Sequence, residues 1–281
     1  MFKTVGVVSR VDKKQALQLA ARIVSALEAK KLGVKLEPKL AKQLNKPNLA
    51  TTVEKMKTDL IVTIGGDGTI LRTCLQLPKP EPLILAVNMG ARGFLAEVAP
   101  KDALKTLDLT LKGNYELEHT MKLSSHLGKT RLPDALNEVS ITSLAPAKLL
   151  SMRIWKDKEL VGECQSDGAV VASQTGSTGY SLSAGGPVID PEVQAFVFTP
   201  IAPLTVFHPI VFSTNSTIHV ELHRPRRAVI VIDGHFQTET TPELSRLTIT
   251  KSEYESSFVR FRGDFYHRLK GRLLFSEGRT R

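Results

Sequence analysis

The sequence predicts an α/β N-terminal domain with a parallel sheet, a β-rich C-terminal domain, and a C-terminal helix returning to the first domain. Three observations carry this. Over roughly the first hundred residues, short apolar runs rich in β-branched residues alternate with stretches of helical period, as in a parallel sheet with helices on its faces. From Tyr115 onward the chain changes to short alternating or β-branched segments whose turns carry Gly, Pro, Asp or Asn. The stretch 264–275 then returns to a helical pattern.

Taken in order, residues 4–8 read as a buried strand, and Ala16, Leu17, Ala20, Val24 and Leu27 mark one face of a helix. A second strand is expected at 34–36. A polar connection containing Pro38, Asn45, Pro47 and Asn48 leads to a short helical piece near 52–57. The apolar run 60–64 is the next strand, and Ile70, Leu71, Cys74 and Leu75 recur at helical spacing after it. Another strand is expected at 83–87 and a helix at 100–111, stopped by Gly113-Asn114. The β-rich part then shows strands at 148–156, 169–172, 218–222, 228–232 and 247–250. These readings divide the chain into an α/β domain over 1–113, completed by 262–281, and a β-rich domain over 114–261.

A chain of 281 residues holds one large domain or two of ordinary size, and 42% hydrophobic residues supply a core. The first eight residues are too short for a signal sequence, and no window reaches the ~18 apolar residues of a membrane helix, so a cytoplasmic location without a membrane partner is expected. Cys74 and Cys164 are far apart and lack metal-ligand spacing, so both read as small core residues. A net charge of +10 fits an anionic partner such as a nucleotide, a nucleic acid or an acidic surface. The basic residues are scattered and not interleaved with stacking aromatics, which argues against nucleic acid.

Between the strand 60–64 and its helix lies Gly65-Gly66-Asp67-Gly68-Thr69. Glycines at such a turn let backbone approach a ligand, and free amides at a helix start favour phosphate oxygens. A phosphate cradle gains nothing from a negative charge, so Asp67 suggests a group that holds a metal, orients a hydroxyl or takes its proton. The plain alternative is a turn in which Asp67 or Thr69 caps the helix. A second unusual stretch runs from Ser173 to Pro187, dense in glycine and small hydroxyl residues just after a strand. It suits a polar ligand held against backbone, or is an ordinary loop. Asp167 sits at another turn. Asn137 and Glu138 precede an alternating strand, where a carboxylate can accept bonds from ribose hydroxyls and an amide can read an adenine edge. Taken alone, they also fit a solvated surface.

In this order, Gly65 to Thr69, Asn88 with Gly93-Phe94-Leu95, Asn137-Glu138, Asp167-Gly168, Thr175-Gly176-Ser177-Thr178 with Tyr180, and Ser183-Ala184-Gly185-Gly186-Pro187 resemble the NAD kinases over most of the chain. The first motif is shared with lipid kinases and, in variant form, with phosphofructokinases. The Thr-Gly-Ser-Thr stretch ending in Ala-Gly-Gly-Pro is the specific part. The resemblance implies transfer of the terminal phosphoryl group of ATP, or of another donor, to the 2′-hydroxyl of the adenosine ribose of NAD, giving NADP. It implies that Asp67 accepts the hydroxyl proton, that the loop around Gly68 faces phosphates, and that Arg72 reaches the substrate. It further implies adenosine contacts at Asn137 and Glu138, Asp167 near the nicotinamide end, and a dinucleotide pocket lined by Thr178, Gly179, Tyr180, Ser181 and Ser183, with the active site between the domains. Lys148 matches an often basic position, and His235 stands where a late turn usually ends in glutamine.

Mg²⁺ or another divalent metal is expected with ATP, since phosphoryl transfer depends on positioning and charge neutralisation. No metal-binding cluster of the chain's own is evident. The resemblance also implies a homodimer or homotetramer. Gly179 replaces an alanine usual in the family and Gln174 a proline, changes expected to alter loop stiffness, while Gln165 stands where a basic residue is common. Two competing readings remain. A lipid or other small-alcohol kinase would share the first motif but leave Asn137, Glu138 and the Thr178 loop without a task. In a non-enzymatic basic nucleotide- or nucleic-acid-binding protein, Asp67 would only cap a helix.

Overall fold

A computed structural model describes residues 2–90, 93–145, 148–224, 227–261, 265–266 and 269–270. The chain divides into two units, Met1–Thr120 with Ser256–Arg281, and Met121–Glu255.

In the first unit β1 (Thr4–Ser9), α1 (Lys14–Ala29), β2 (Gly33–Leu36), α2 (Pro38–Gln43), β3 (Leu60–Gly65), α3 (Asp67–Cys74), β4 (Leu83–Asn88) and α4 (Ala103–Leu111) follow one another. The strands pair in parallel in the order β2-β1-β3-β4. Strands covered on both faces are apolar throughout, and all six residues of β3 are buried. Val5, Val7, Val62, Ile64, Leu85 and Val87 pack with Leu19, Ile23 and Leu27 of α1 and Leu107 of α4. Each fully buried aliphatic side chain contributes ~1.5–3 kcal/mol, so this face alone anchors both helices. The inward stripe of α1 runs through Leu19 and Ile23, leaving Leu17 only partly buried.

Two connections differ from expectation. Residues 38–43 form α2, because Pro38 fits the first helical turn and Leu40 and Ala41 reach the core. The piece near 52–57 is a single 3₁₀ turn, Val53–Lys55.

The β-rich part comprises β5 (Glu116–Leu127), β6 (Thr130–Arg131), β7 (Glu138–Ser143), β8 (Leu150–Lys156), β9 (Glu159–Ser166), β10 (Gly168–Ala172), α5 (Tyr180–Ser183), β11 (Ala195–Ile201), β12 (Ile210–Ser213), β13 (Ile218–Arg224), β14 (Ala228–Ile232), β15 (Phe236–Glu239) and β16 (Arg246–Arg260). β5 and β16 run through both units. In the second unit β16, β13, β8 and β9 neighbour one another, and a separate antiparallel sheet has the order β12-β11-β10-β7-β14-β15. β16 is far longer than the expected 247–250. Lys251, Glu253 and Glu255 hide the continuation in sequence, yet they are the exposed half of an alternation whose other half, Ser252 and Ser256, is buried.

No helix among the described residues is long and apolar enough to cross a membrane. Cys74 and Cys164 are both buried, as expected of small core residues. The expected helix at 264–275 falls mostly outside the described residues. Residues 265–266 and 269–270 are helical, and the Phe265 ring meets Phe94 edge-on at 5.3 Å within the first unit.

Candidate active site

The parallel strands of the first unit end side by side, with Gly65, the last residue of β3, opposite Asn88, the last of β4. α3 begins at Asp67 with Gly66 as its N-cap and no side-chain cap, so neither Asp67 nor Thr69 serves as the cap. Instead, the Asp67 carboxylate holds a neighbouring loop. Its Oδ2 accepts the Phe94 N–H at 2.8 Å, and its Oδ1 accepts those of Leu95 at 3.1 Å and Ala96 at 3.4 Å. A Cβ on Gly93 would lie 3.0 Å from Asp67 Oδ1 and 3.2 Å from the Asn88 amide nitrogen, so a side chain there would have to push these groups back by a few tenths of an ångström. The Leu95 carbonyl accepts from Arg260 Nη1 at 2.7 Å, and the buried Arg260 also pairs with Glu118 at 2.8 Å. Asp67 is therefore a fixed carboxylate at the carboxyl edge of a parallel sheet, where such sheets bind ligands.

The two glycines before it differ in function. A Cβ on Gly65 would collide with Thr69, whereas one on Gly66 would meet nothing within 4 Å. Gly65 makes the turn possible, and Gly66 leaves open space beside Asp67 and Gly68. Arg72 forms a two-pronged ion pair with the buried Glu37, at 2.5 and 3.2 Å, which raises the pKa of the guanidinium.

In the second unit three strand ends converge. Glu138 opens β7 opposite Ala172, the last residue of β10, and Val139 lies opposite Ile232, the last of β14. The chain leaving β10 folds over Asn137. Ser173 donates its N–H to Asn137 O at 2.8 Å and its hydroxyl to Leu136 O at 2.6 Å. The Tyr180 N–H reaches the Glu138 carboxylate. A Cβ on Gly179 would lie 3.2 Å from Glu138 Oε2, so the alanine usual in the family would press on that carboxylate. Asn137 Oδ1 and Glu138 Oε2 are both buried without a hydrogen-bond partner.

The chain leaving β14 supplies Asp233, in left-handed backbone at φ 49° and only 3% exposed. Its Oδ2 accepts the Leu136 N–H at 2.8 Å, and its Oδ1 accepts those of Asn137 at 2.8 Å and Glu138 at 3.0 Å. Burial, and then the charge of Asp233, push the Glu138 carboxyl up from 4.5 to about 7. Burial raises Asp233 to about 6, against the pull of its three N–H donors and of Lys122. Both carboxyls are thus held above the ordinary carboxylate range, and each one's charge opposes ionisation of the other.

Because the folded Glu138 holds its proton between pH 4.5 and about 7 while the unfolded chain has lost it, stability falls as pH rises through that window. Glu138→Gln lacks this loss. Its melting temperature relative to wild type is expected to climb from pH 5 to pH 8 and to be flat below pH 4.5. Parallel melting curves for the two chains across this range would contradict the assignment.

The remaining residues fall into three groups. Thr178 and Ser181 are buried with their hydroxyls bonded inward, to Thr175 O and Thr199 Oγ1, both at 2.8 Å. Tyr180 and Ser183 are exposed, as is His235, two residues beyond Asp233. Asp167 and Lys148 are not brought to Asn137 and Glu138. Both are exposed. Asp167 precedes β10, at the end opposite Ala172, five strand steps or about 16 Å away. Lys148 leads into β8, whose Leu150 lies opposite Ser166.

Sequence reasoning missed Glu37, and it singled out the turn of Asp233, Gly234 and His235 for His235 and not for the buried Asp233. It also left Gln174 as a change in stiffness. The Gln174 amide in fact donates to Pro191 O at 3.0 Å and to Val193 O, tying down the loop by hydrogen bonds where the family has a proline ring. Among the described residues no group of three or more His, Cys, Asp or Glu side chains could hold a metal ion.

Comparison with known proteins gives the family. Residues 5–115 match the ATP-NAD kinase N-terminal domain and residues 136–261 the ATP-NAD kinase C-terminal domain. The NAD kinase of Methanothermobacter thermautotrophicus is 39% identical over 275 residues, covering 96% of each chain. That of Thermococcus kodakarensis is 37% identical, over 93% of this chain and 95% of the relative. The crystal structure of an Archaeoglobus fulgidus NAD kinase in complex with ATP superimposes with a TM-score of 0.80 at 31% identity, over 96% of this chain and 98% of that one. On these matches, the chain belongs to the NAD kinase family.

Proposed function

We propose that this protein transfers the terminal phosphoryl group of ATP, or of another phosphoryl donor, to the 2′-hydroxyl of the adenosine ribose of NAD, giving NADP. Beyond family membership, one observation carries the reading. Asn137 Oδ1 and Glu138 Oε2 are neighbouring buried acceptors with no donor. The adenine amino group and a ribose hydroxyl are donors of the right kind. A buried acceptor left unsatisfied is costly, and the apolar acceptor of a lipid kinase would leave both so.

Asp67 is the reacting carboxylate in this reading. The ribose 2′-oxygen attacks the terminal phosphorus, the bond to the bridging oxygen of the leaving diphosphate breaks, and Asp67 takes the hydroxyl proton late in the step. Three backbone N–H bonds hold Asp67 in one orientation, which suits a base whose contribution depends on position. The open space beside Gly66 suits the donor phosphates next to the amides that begin α3. Arg72 is paired with Glu37, which holds its guanidinium in place, and its remaining N–H groups can meet substrate. Thr178 and Ser181 shape the 173–183 loop from within, while Gly179, Tyr180 and Ser183 line it toward NAD.

A divalent cation, with Mg²⁺ the expected one, neutralises phosphate charge in such a transfer. The exposed Leu204, Val206 and Val211 suit burial against a second copy in a homodimer or homotetramer.

The test is NADP formation from NAD, ATP and Mg²⁺, read with an NADP-specific dehydrogenase and repeated with a chelator. Activity is expected with the metal and lost with the chelator. No NADP from folded protein, with either ATP or polyphosphate as donor, would move the lipid-kinase reading ahead.

A further inference from the structure

Asp233 is a carboxylate almost wholly removed from solvent that all three successive N–H groups of residues 136–138 address, and these residues include the two whose side chains hold unpartnered acceptors. The contact spans 95 to 97 residues of sequence. It fixes the backbone from which Asn137 and Glu138 project, and nothing in the transfer itself requires Asp233 to touch substrate. We propose that Asp233 is the positioning residue of the adenosine site, setting the place of Asn137 and Glu138 through the backbone. This rests on the NAD kinase reading.

Two effects follow, in opposite directions. Position favours NAD binding. The negative charge of Asp233 opposes ionisation of Glu138, the form that accepts a ribose hydroxyl. The charged groups acting on this pair are Lys122, fully buried on β5, and the two carboxylates themselves, with the Tyr180 N–H on the Glu138 side. Burial and Asp233 together place the Glu138 step near neutral pH, at about 7.

Asp233→Asn separates the two effects. Asparagine tolerates left-handed backbone, keeps an oxygen for Asn137 and Glu138, and turns an NH₂ group against the Leu136 N–H. The KM for NAD is expected to rise roughly ten-fold, as for one lost buried hydrogen bond, with the KM for ATP within about two-fold. The acid limb of kcat/KM for NAD is expected to move down by about one pH unit, because the neighbouring charge is gone. A second variant, Gly234→Ala, strains a residue at φ 70° whose added Cβ meets nothing within 4 Å, so it disturbs the turn without altering charge. It is expected to raise the KM for NAD while leaving the acid limb in place. Circular dichroism and melting temperature are read on both.

Absence of NADP formation by the wild-type protein would defeat the kinase reading itself. With an active wild type, an unchanged KM for NAD and an unmoved limb in Asp233→Asn would overturn the positioning role. So would an Asp233→Asn chain that fails to fold, since it would assign Asp233 to the fold.

Discussion

Asp67→Asn is expected to lower kcat for NADP formation by ~10²–10⁴-fold, the range for removing a positioned general base. The KM values for NAD and ATP are expected to stay within about two-fold, because the interaction removed belongs to the transition state. Asparagine retains one oxygen for the loop, so it can still accept from Leu95 and Ala96 while its NH₂ faces the Phe94 N–H. Some loosening of residues 93–96 is therefore part of the expected result. It is separable from the chemistry by measuring ATP and NAD binding directly on the variant. A kcat within about three-fold of wild type would remove Asp67 from the reaction and return it to holding the loop.

Gly176→Ala is expected to cost more structurally than any other single methyl group in the 173–183 loop. The added Cβ would fall on the backbone of Asn137, 2.8 Å from its Cα and closer still to its carbonyl, and backbone cannot give way as a flexible side chain can. Overpacking of this kind costs ~1–3 kcal/mol, occasionally more, and here the only relief is to lift the loop off Asn137. That displacement breaks the Ser173–Asn137 bond and carries the Tyr180 N–H away from Glu138. Loss of measurable NAD binding is expected, with a lowered melting temperature and retained ATP binding. Wild-type affinity for NAD would show that the loop's closeness to Asn137 is not required.

Much of the first unit was legible in sequence because its signals are local. The apolar run of β3, the helical period of α1 and the glycine turn before α3 each lie within one short window. α2 was hidden by a polar composition that masks two inward residues, Leu40 and Ala41. β16 was hidden by charges on its exposed face. The candidate site was legible only in part, for a different reason. Asp67, Asn137 and Glu138 stand out as acids and amides at turns, but what fixes them comes from far along the chain. Arg260 reaches Leu95 across 165 residues and Asp233 reaches Leu136 across 97. No local pattern encodes such contacts. Asp167, expected near the nicotinamide end, stands a five-residue strand away from Glu138, expected at the adenosine.

The most direct measurement of the central claim is transfer of label from ATP carrying radioactive γ-phosphate to NAD and, in parallel, to 2′-deoxy-NAD. With the 2′-hydroxyl of the adenosine ribose as acceptor, label is expected on NAD as NADP and none on the deoxy compound. Label on 2′-deoxy-NAD, or none on NAD, would contradict the account.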